Sequence, residues 1–252
     1  MAKIKDIYKS IDEIAPFRLQ EGYDNSGLII GNMEGEVKSV LTALDVTAEI
    51  AKEAAEKGAD LIVTHHPVIF RALKRIDTRS LLGTLIAGDI SVISAHTNFD
   101  SAVMNDILCR AIGLTPAGEP IAEENGAPIG CICEVDTGAE ELAAGVKKAL
   151  GCRVVRFNGE GKRLRRVAVC SGSGGSFLNE VIARGCDGFI TGDVKHDVFI
   201  DAHNAGITVF DAGHFHTEDI FTGYMMDFLR ESFPDVTVES AENDRDILSY
   251  EI

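Results

Sequence analysis

Two adjacent histidines, His65 and His66, follow the apolar run Leu61–Thr64, which has the length and composition of a buried strand. In open α/β sheets, ligands collect outside the carboxyl ends of the strands. Adjacent side chains point to opposite sides of an extended segment, and a turn at Pro67 would let both imidazoles converge. Two imidazoles are suitable ligands for Zn, Fe, Mn, Co or Ni. By itself the pair is a weak indication of a metal site, because a polar turn explains it more simply.

Two carboxylates strengthen the metal hypothesis because each stands four residues after a histidine near a predicted strand end. Asp100 closes the segment His96-Thr-Asn-Phe-Asp100, and Glu218 closes His214-Phe-His-Thr-Glu218. A carboxylate can bridge two ions and so hold a dinuclear site in which the pKa of a bridging water is lowered. The alternative is structural: Asp100 would cap the following helix, and Glu218 would occupy a favourable first-turn position.

Further polar residues are candidates for supporting the centre. His96 is expected to hydrogen-bond a ligand or water, because metal ligands need oriented neighbours. Asp24 and Asn25 would position substrate, or would simply form a polar turn. Asp193 and Lys195 follow a later predicted strand and would supply an acid or base, or would belong to a solvated loop. The stretch Ser171-Gly-Ser-Gly-Gly-Ser176 is interpreted as a strand-to-helix turn rather than an anion site.

These residues lie on an alternation of strand-like and helix-like segments, which predicts an α/β fold with mixed, largely parallel sheets. The pattern occurs twice. Val40–Val46 and Gly58–Thr64 resemble Val167–Gly172 and Gly185–Thr191, and Ser91–His96 resembles Thr208–His214. We therefore expect two similar, interlinked domains: 1–120, completed by 234–252, and a pseudo-repeat over 121–233. The boundary is placed at the stretch rich in Pro, Gly and Glu over 115–128.

Composition narrows the possible partners. The chain has 252 residues, a formal net charge of −16 and 45% apolar residues, which is ordinary globular composition and argues against nucleic acid as the main partner. No signal peptide is evident, and no apolar run reaches the ~18 residues of a membrane span. The six cysteines are scattered in apolar segments, which favours buried reduced thiols. The sequence therefore predicts a cytoplasmic protein.

Four motifs occur in a recognisable order: Asp24-Asn-Ser-Gly-Leu-Ile-Ile-Gly31, Thr64-His-His-Pro67, His96-Thr-Asn-Phe-Asp100 and Gly213-His-Phe-His-Thr-Glu218. Together they resemble the Nif-three-like family of dinuclear-metal hexamers, whose members carry the name GTP cyclohydrolase 1 type 2 homologue. The resemblance spans nearly the whole chain. It departs from the family pattern at Tyr23, where a Trp is common, and at Gly126–Gly130, which replaces a glycine loop that often carries Arg.

The resemblance implies two interlinked α/β domains in a short form without an inserted domain. It implies two divalent metal ions per subunit (Zn, Fe, Mn, Co or Ni), with Glu218 as the bridge between them, and a toroidal homohexamer built as a trimer of dimers. The implied ligands are His65, His66, Asp100, His214 and Glu218.

Two functions are compatible with these features. The first is a metal-dependent hydrolase acting on a nucleotide or a related small molecule, as the cyclohydrolase name suggests. The second is a non-catalytic metal-binding scaffold or chaperone-like oligomer, in which the ions order the assembly.

Overall fold

The computed structural model describes residues 1–124 and 126–251 and confirms the α/β class. The helices, in chain order, are α1 (Ile4–Ile14), α2 (Ala48–Lys57), α3 (Leu81–Ala87), α4 (Thr97–Phe99), α5 (Asn105–Ala111), α6 (Ala139–Leu150), α7 (Leu178–Ala183), α8 (His196–Ala205), α9 (His214–Glu218) and α10 (Ile220–Ser232). A π-helical turn, Asp100–Met104, joins α4 to α5, and short 3-10 turns occupy Phe17–Leu19 and Gly175–Phe177.

The strands, in chain order, are β1 (Ala2–Lys3), β2 (Gly27–Ile30), β3 (Glu36–Val37), β4 (Ser39–Ala43), β5 (Leu61–Thr64), β6 (Ser91–Ser94), β7 (Ala122–Glu124), β8 (Ala127–Ile129), β9 (Cys131–Gly138), β10 (Arg156–Phe157), β11 (Arg163–Val169), β12 (Gly188–Thr191), β13 (Thr208–Asp211) and β14 (Thr237–Ser240). Every residue of β5, β6, β12 and β13 is buried. Such continuous burial is expected of parallel strands that are covered on both faces.

The chain forms two compact units that exchange segments. The first unit contains residues 1–102 and 221–245, and the second contains 103–220 together with the terminal residues from Asp246 onward. The chain thus changes unit at 102/103 and 220/221, whereas the sequence placed these changes at 120/121 and 233/234. The first change lies within the π-helical turn and the second within α10. Because the chain is helical at both points, no loop composition marks them.

The first unit is built on a sheet in the order β14-β4-β5-β6-β2. β14, β4, β5 and β6 are parallel, and β2 is antiparallel to β6. α2 connects β4 to β5 and is N-capped by Thr47, whose side chain accepts a hydrogen bond from the backbone N–H of Ile50 at 3.3 Å. One face of the sheet packs in a core that includes Leu41, Ile50, Ile62 and Val92.

The second unit repeats the β-α-β-α-β core of the first. Its sheet has the order β10-β13-β12-β11-β9, with β11, β12 and β13 parallel and both edge strands antiparallel. Phe189 and Ile190 on β12 enter separate core clusters, one on each face of the sheet. The stretch proposed as a domain boundary instead overlaps the antiparallel strands β7 and β8 of this unit. Among the described residues, no helix combines the length and apolarity required to cross a bilayer.

Candidate metal centre

In the first unit, His65 and His66 follow directly on β5. The backbone N–H of His66 still bonds the carbonyl of Leu44 at 2.9 Å, and the Thr64 hydroxyl donates to the same carbonyl at 2.8 Å. The chain turns immediately afterwards. The two imidazole centroids are only 5.0 Å apart, so the turn brings both rings together as the sequence suggested. His65 is fully buried, and His66 is partly exposed.

The histidines of this unit are oriented alike, because Nδ1 of each ring bonds an acceptor. The Nδ1 atom of His65 donates to the carbonyl of Ala95 at 2.8 Å. The Nδ1 atom of His66 pairs with an Asp45 carboxylate oxygen at 2.8 Å. Since these acceptors carry no proton to donate, Nδ1 holds the hydrogen, and Nε2 of the neutral ring carries the lone pair that a metal requires.

His96 shares this arrangement and lies beside the pair. Its ring centroid is 5.2 Å from that of His65 and 5.5 Å from that of His66. One ring nitrogen from each of these three histidines forms a group whose atoms all lie within 4.8 Å of one another. The sequence treated His96 as a neighbour of the ligands, whereas the geometry also makes it a candidate ligand.

The side chain of Asp24 is fully buried and orients His96. It accepts from Nδ1 of His96 at 2.8 Å, from the Thr97 hydroxyl at 2.6 Å and from the Ser26 hydroxyl at 2.7 Å. Burial alone would raise the pKa of this carboxyl, but His96 and the two hydroxyls together hold it well below its usual range. Asp24 therefore acts as a buried acceptor that fixes the orientation of the His96 ring. Asn25 is exposed, and its amide donates to the carbonyl of Ile69 at 2.6 Å.

Asp100 begins the π-helical turn, and its Oδ1 atom is 3.5 Å from Nε2 of His65. The helical run already starts at Thr97, so Asp100 does not have the N-cap role that was the structural alternative. π-helical turns within α-helices are frequent at functional sites because the extra residue redirects a side chain.

The buried apolar surroundings of His65 include Phe99 and Phe221, whose ring centroids lie 6.3 and 5.3 Å from the imidazole.

In the second unit, His214 and Glu218 form a contacting pair on the single turn of α9. Nε2 of His214 is 2.9 Å from a Glu218 carboxylate oxygen, and its Nδ1 is 2.9 Å from Oδ2 of Asp193. The Nδ1 orientation found in the first unit therefore recurs here. Asp193 has a left-handed backbone with φ of +52°, which is uncommon outside glycine. Its side chain contacts His214, while Lys195 is an exposed residue that directly precedes α8.

The glycine stretch after β11 closes around Glu218. The backbone N–H of Gly172 bonds the Thr217 hydroxyl at 3.0 Å, and a Cβ atom added at Gly172 would lie 2.1 Å from Oε1 of Glu218. A carboxylate against this loop is unfavourable for a bound phosphate. The helix that follows, α7, has only six residues. These features agree with the interpretation of the stretch as a strand-to-helix turn.

The donor set suits a divalent metal. It consists of imidazole nitrogens with fixed Nδ1 partners and of carboxylates, which is the combination found in catalytic zinc and non-haem metal sites. Sequence reasoning missed Asp45, which follows the end of β4. Polar residues at strand ends were the available signal, because His65, His66 and Asp193 have the same kind of position.

A basic and aromatic segment follows His66 in the first unit. The ring of Phe70 is 6.2 Å from that of His96 and 6.3 Å from that of Tyr23. Tyr23 and Phe70 are 66% and 44% exposed. The same segment carries a group of exposed cationic side chains: Arg71, Lys74, Arg75 and Arg79.

Comparison with known proteins identifies related sequences. The Duf34/NIF3 (NGG1p interacting factor 3) family matches residues 2–246. A GTP cyclohydrolase 1 type 2 homolog of Clostridium perfringens is 38% identical, with 86% of this chain and 87% of the relative covered. The GTP cyclohydrolase 1 type 2 of Helicobacter pylori strain J99 is 34% identical over 98% of this chain and 100% of the relative.

Solved structures extend the match to three dimensions. A hypothetical protein of Staphylococcus aureus superposes with a TM-score of 0.90 at 28% identity, covering 99% of both chains. Reduced HcgD from Methanocaldococcus jannaschii superposes with a TM-score of 0.83 at 29% identity, covering 96% of this chain and 98% of that one. The chain therefore belongs to the DUF34/NIF3 family.

Proposed function

We propose that the protein binds two divalent metal ions through His65, His66, Asp100, His214 and Glu218, with Glu218 as the bridging carboxylate. The observation that carries this proposal is shared by His65, His66 and His214: the Nδ1 atom of each ring is paired with an acceptor. A ring held in this way presents Nε2 in the protonation state that binds metal. The family resemblance supports these five residues as the ligand set of a dinuclear centre.

The proposed activity is hydrolysis of a nucleotide or a related anionic small molecule. Bound ions would polarise a substrate oxygen and lower the pKa of a water to near neutrality. The protein residues would fix the ligands: Asp45 orients His66, and Asp193 orients His214. The names of the Helicobacter and Clostridium relatives support a nucleotide substrate.

The basic and aromatic segment supports an anionic, ring-bearing substrate. Four cationic side chains and one carboxylate, Asp77, within nine residues of a chain with net charge −16 leave a local positive potential that would attract phosphate groups. The exposed rings of Tyr23 and Phe70 offer planar surfaces beside His96. Stacking of a base on an aromatic ring typically contributes about 1–3 kcal/mol.

Metal analysis of the purified protein tests the centre. We expect two ions per chain at neutral pH, with loss of metal in His65→Ala and in His214→Ala. His203→Ala is the matched control, because His203 is an exposed histidine on α8. Absence of stoichiometric metal in the wild-type protein would refute the centre. The same proteins are then assayed for turnover of GTP and other nucleotides, and turnover that disappears in His65→Ala would support hydrolysis.

The alternative function is a metal-stabilised scaffold without turnover. It is favoured by one observation: Asp100 and Glu218 each stand two residues before a point at which the chain changes unit. Metal bound there would order the connecting segments. We further propose a cytoplasmic homohexamer arranged as a trimer of dimers, on the strength of the family resemblance. Light scattering with and without chelator, combined with the absence of nucleotide turnover, would distinguish the scaffold from the hydrolase.

A further inference from the structure

Three cysteines meet within the second unit. Cys109 lies on α5, and Cys131 and Cys133 lie two residues apart on β9. Alternate residues of a strand share a face, and both strand cysteines pack in or against the core cluster that contains Cys109, while the intervening Ile132 enters the cluster on the other face. The two thiols of β9 therefore face the thiol of α5.

The sulfur atoms are in contact. The Sγ atoms of Cys133 and Cys109 are 3.5 Å apart, and Cys131 packs against the same core cluster. A disulfide needs a separation of about 2.05 Å, so roughly 1.5 Å of approach would join Cys109 to Cys133. Cys109 and Cys133 are fully buried, whereas Cys131 is partly exposed. A small oxidant would therefore reach Cys131 first.

The cluster also differentiates the three thiols chemically. Hydrogen bonding with Cys109 lowers the pKa of Cys131 and of Cys133, while hydrogen bonding with these neighbours and burial raise the pKa of Cys109. The thiolate is the reactive form of cysteine. Two other buried cysteines behave as ordinary core residues: burial raises the pKa of Cys152 to about 11 and also raises that of Cys186.

We propose that Cys109, Cys131 and Cys133 form a thiol oxidation site that hydrogen peroxide converts to a Cys109–Cys133 disulfide, with Cys131 as the thiol that reacts first. The Cys131 thiolate attacks one peroxide oxygen, the O–O bond breaks, and the released hydroxide takes a proton to become water. Cys131 is then a sulfenic acid.

Two exchanges at sulfur complete the sequence. The Cys109 sulfur attacks the sulfenic sulfur, the S–O bond breaks, and hydroxide leaves with the thiol proton as water. The Cys133 thiolate then attacks the Cys109 sulfur of this first disulfide and releases the Cys131 thiolate. Overall, two thiols are oxidised, one peroxide is reduced, and two molecules of water form.

Peptide mapping after peroxide treatment of the full-length protein tests the site. Remaining thiols are alkylated, and the protein is digested without reductant and analysed by mass spectrometry. We expect loss of two of the six thiols and a peptide pair linked through Cys109 and Cys133. Mapping in the wild-type protein needs no variant, so a folding defect cannot obscure it. Random loss over all six thiols, or an absence of linked peptides, would overturn the proposal.

Variants then test the order of reaction. Cys131→Ser should slow peroxide consumption by about tenfold or more, as expected when the accessible thiolate is removed. Cys133→Ser should stop at the Cys109–Cys131 disulfide. Cys152→Ser and Cys186→Ser, as matched controls at buried cysteines outside the cluster, should oxidise like the wild type. A Cys131→Ser protein that oxidises at the wild-type rate would exclude the proposed entry thiol.

Discussion

Substitution of Gly172 by Ala is the most direct test of the geometry around Glu218. Gly172 has φ of +59°, and an added Cβ atom would lie 2.1 Å from Oε1 of Glu218 and 3.4 Å from Cε1 of His214. Contacts of a Cβ atom below 3.0 Å are essentially never observed. The Glu218 side chain or the loop must therefore move by about 1 Å, the order of displacement to which a preorganised site is sensitive.

Two separate effects follow from this substitution. The left-handed backbone costs an alanine about 1–2 kcal/mol, which lowers the free energy of unfolding. Displacement of Glu218, a proposed metal ligand, should also lower the affinity for metal. Disturbing the support of a ligand typically costs 10-fold to 100-fold in affinity, which corresponds to about 1.4–2.8 kcal/mol.

Gly185→Ala separates the two effects. Gly185 has a similar φ of +69°, but a Cβ atom there meets nothing within 4 Å. Both variants should unfold at lower urea concentration than the wild type. In calorimetric titration with Zn²⁺ or Mn²⁺, only Gly172→Ala should bind more weakly. Wild-type affinity in Gly172→Ala, or an equal loss in Gly185→Ala, would refute the reasoning.

Three further results are expected. Asp24→Asn should lower the free energy of unfolding by about 2–3 kcal/mol in urea titrations, because a buried hydrogen-bond network loses its negative charge and one of its two carboxylate acceptors; Asp201→Asn, at an exposed carboxylate on α8, is the comparison. Metal at 100 times its Kd should stabilise the protein by about 2.7 kcal/mol, reversibly with chelator, and an unchanged Tm would argue against binding to the folded state. Glu53→Gln should reduce the loss of stability at acidic pH compared with the wild type. If the two proteins lose stability in parallel as the pH falls, this prediction is wrong.

The sign of the Glu53 effect follows from its contacts. Burial alone would raise the pKa of Glu53, but the backbone N–H groups of Glu242 and Asn243, the Asn243 amide and Lys57 lower it below the ordinary value of 4.5. A carboxyl whose folded-state pKa is depressed stabilises the protein fully above its unfolded-state pKa. That contribution is lost as the pH falls through the folded-state value. Stability should therefore decrease with acidification below about pH 4.5 in the wild type.

The fold class could be predicted because strand and helix periods alternate clearly along the chain. The limits of α2 follow from local signals, namely Thr47 as an N-cap and the glycine after Lys57. The start of the helical run before Asp100 could not be predicted. The sequence indicated a helix only after Asp100, as its cap, whereas helical backbone begins at Thr97. The contacts of the buried Asn98, whose amide donates to the distant carbonyl of Ala15 at 2.6 Å, are not visible in the local sequence.

The histidines and carboxylates of the candidate site could be selected from their positions after strands. Their hydrogen-bond partners could not. Asp45 and Asp24 lie 21 and 72 residues from the histidines that they orient, so tertiary structure alone brings them together. The cysteine cluster is a similar case: sequence spacing suggested scattered core thiols, whereas the packing of α5 against β9 places three of them together.

The return of residues 221–245 to the first unit has a consequence for biosynthesis. β14 pairs in parallel with β4, although about 200 residues separate them. A ribosome releases β14 only after the sheet of the second unit has emerged in full. Until then, the backbone groups of β4 on the β14 side have no strand partner. The sheet of the second unit can form completely before β14 is available. We therefore expect the sheet of the second unit to be completed during translation before the sheet of the first unit, although the first unit begins earlier in the chain.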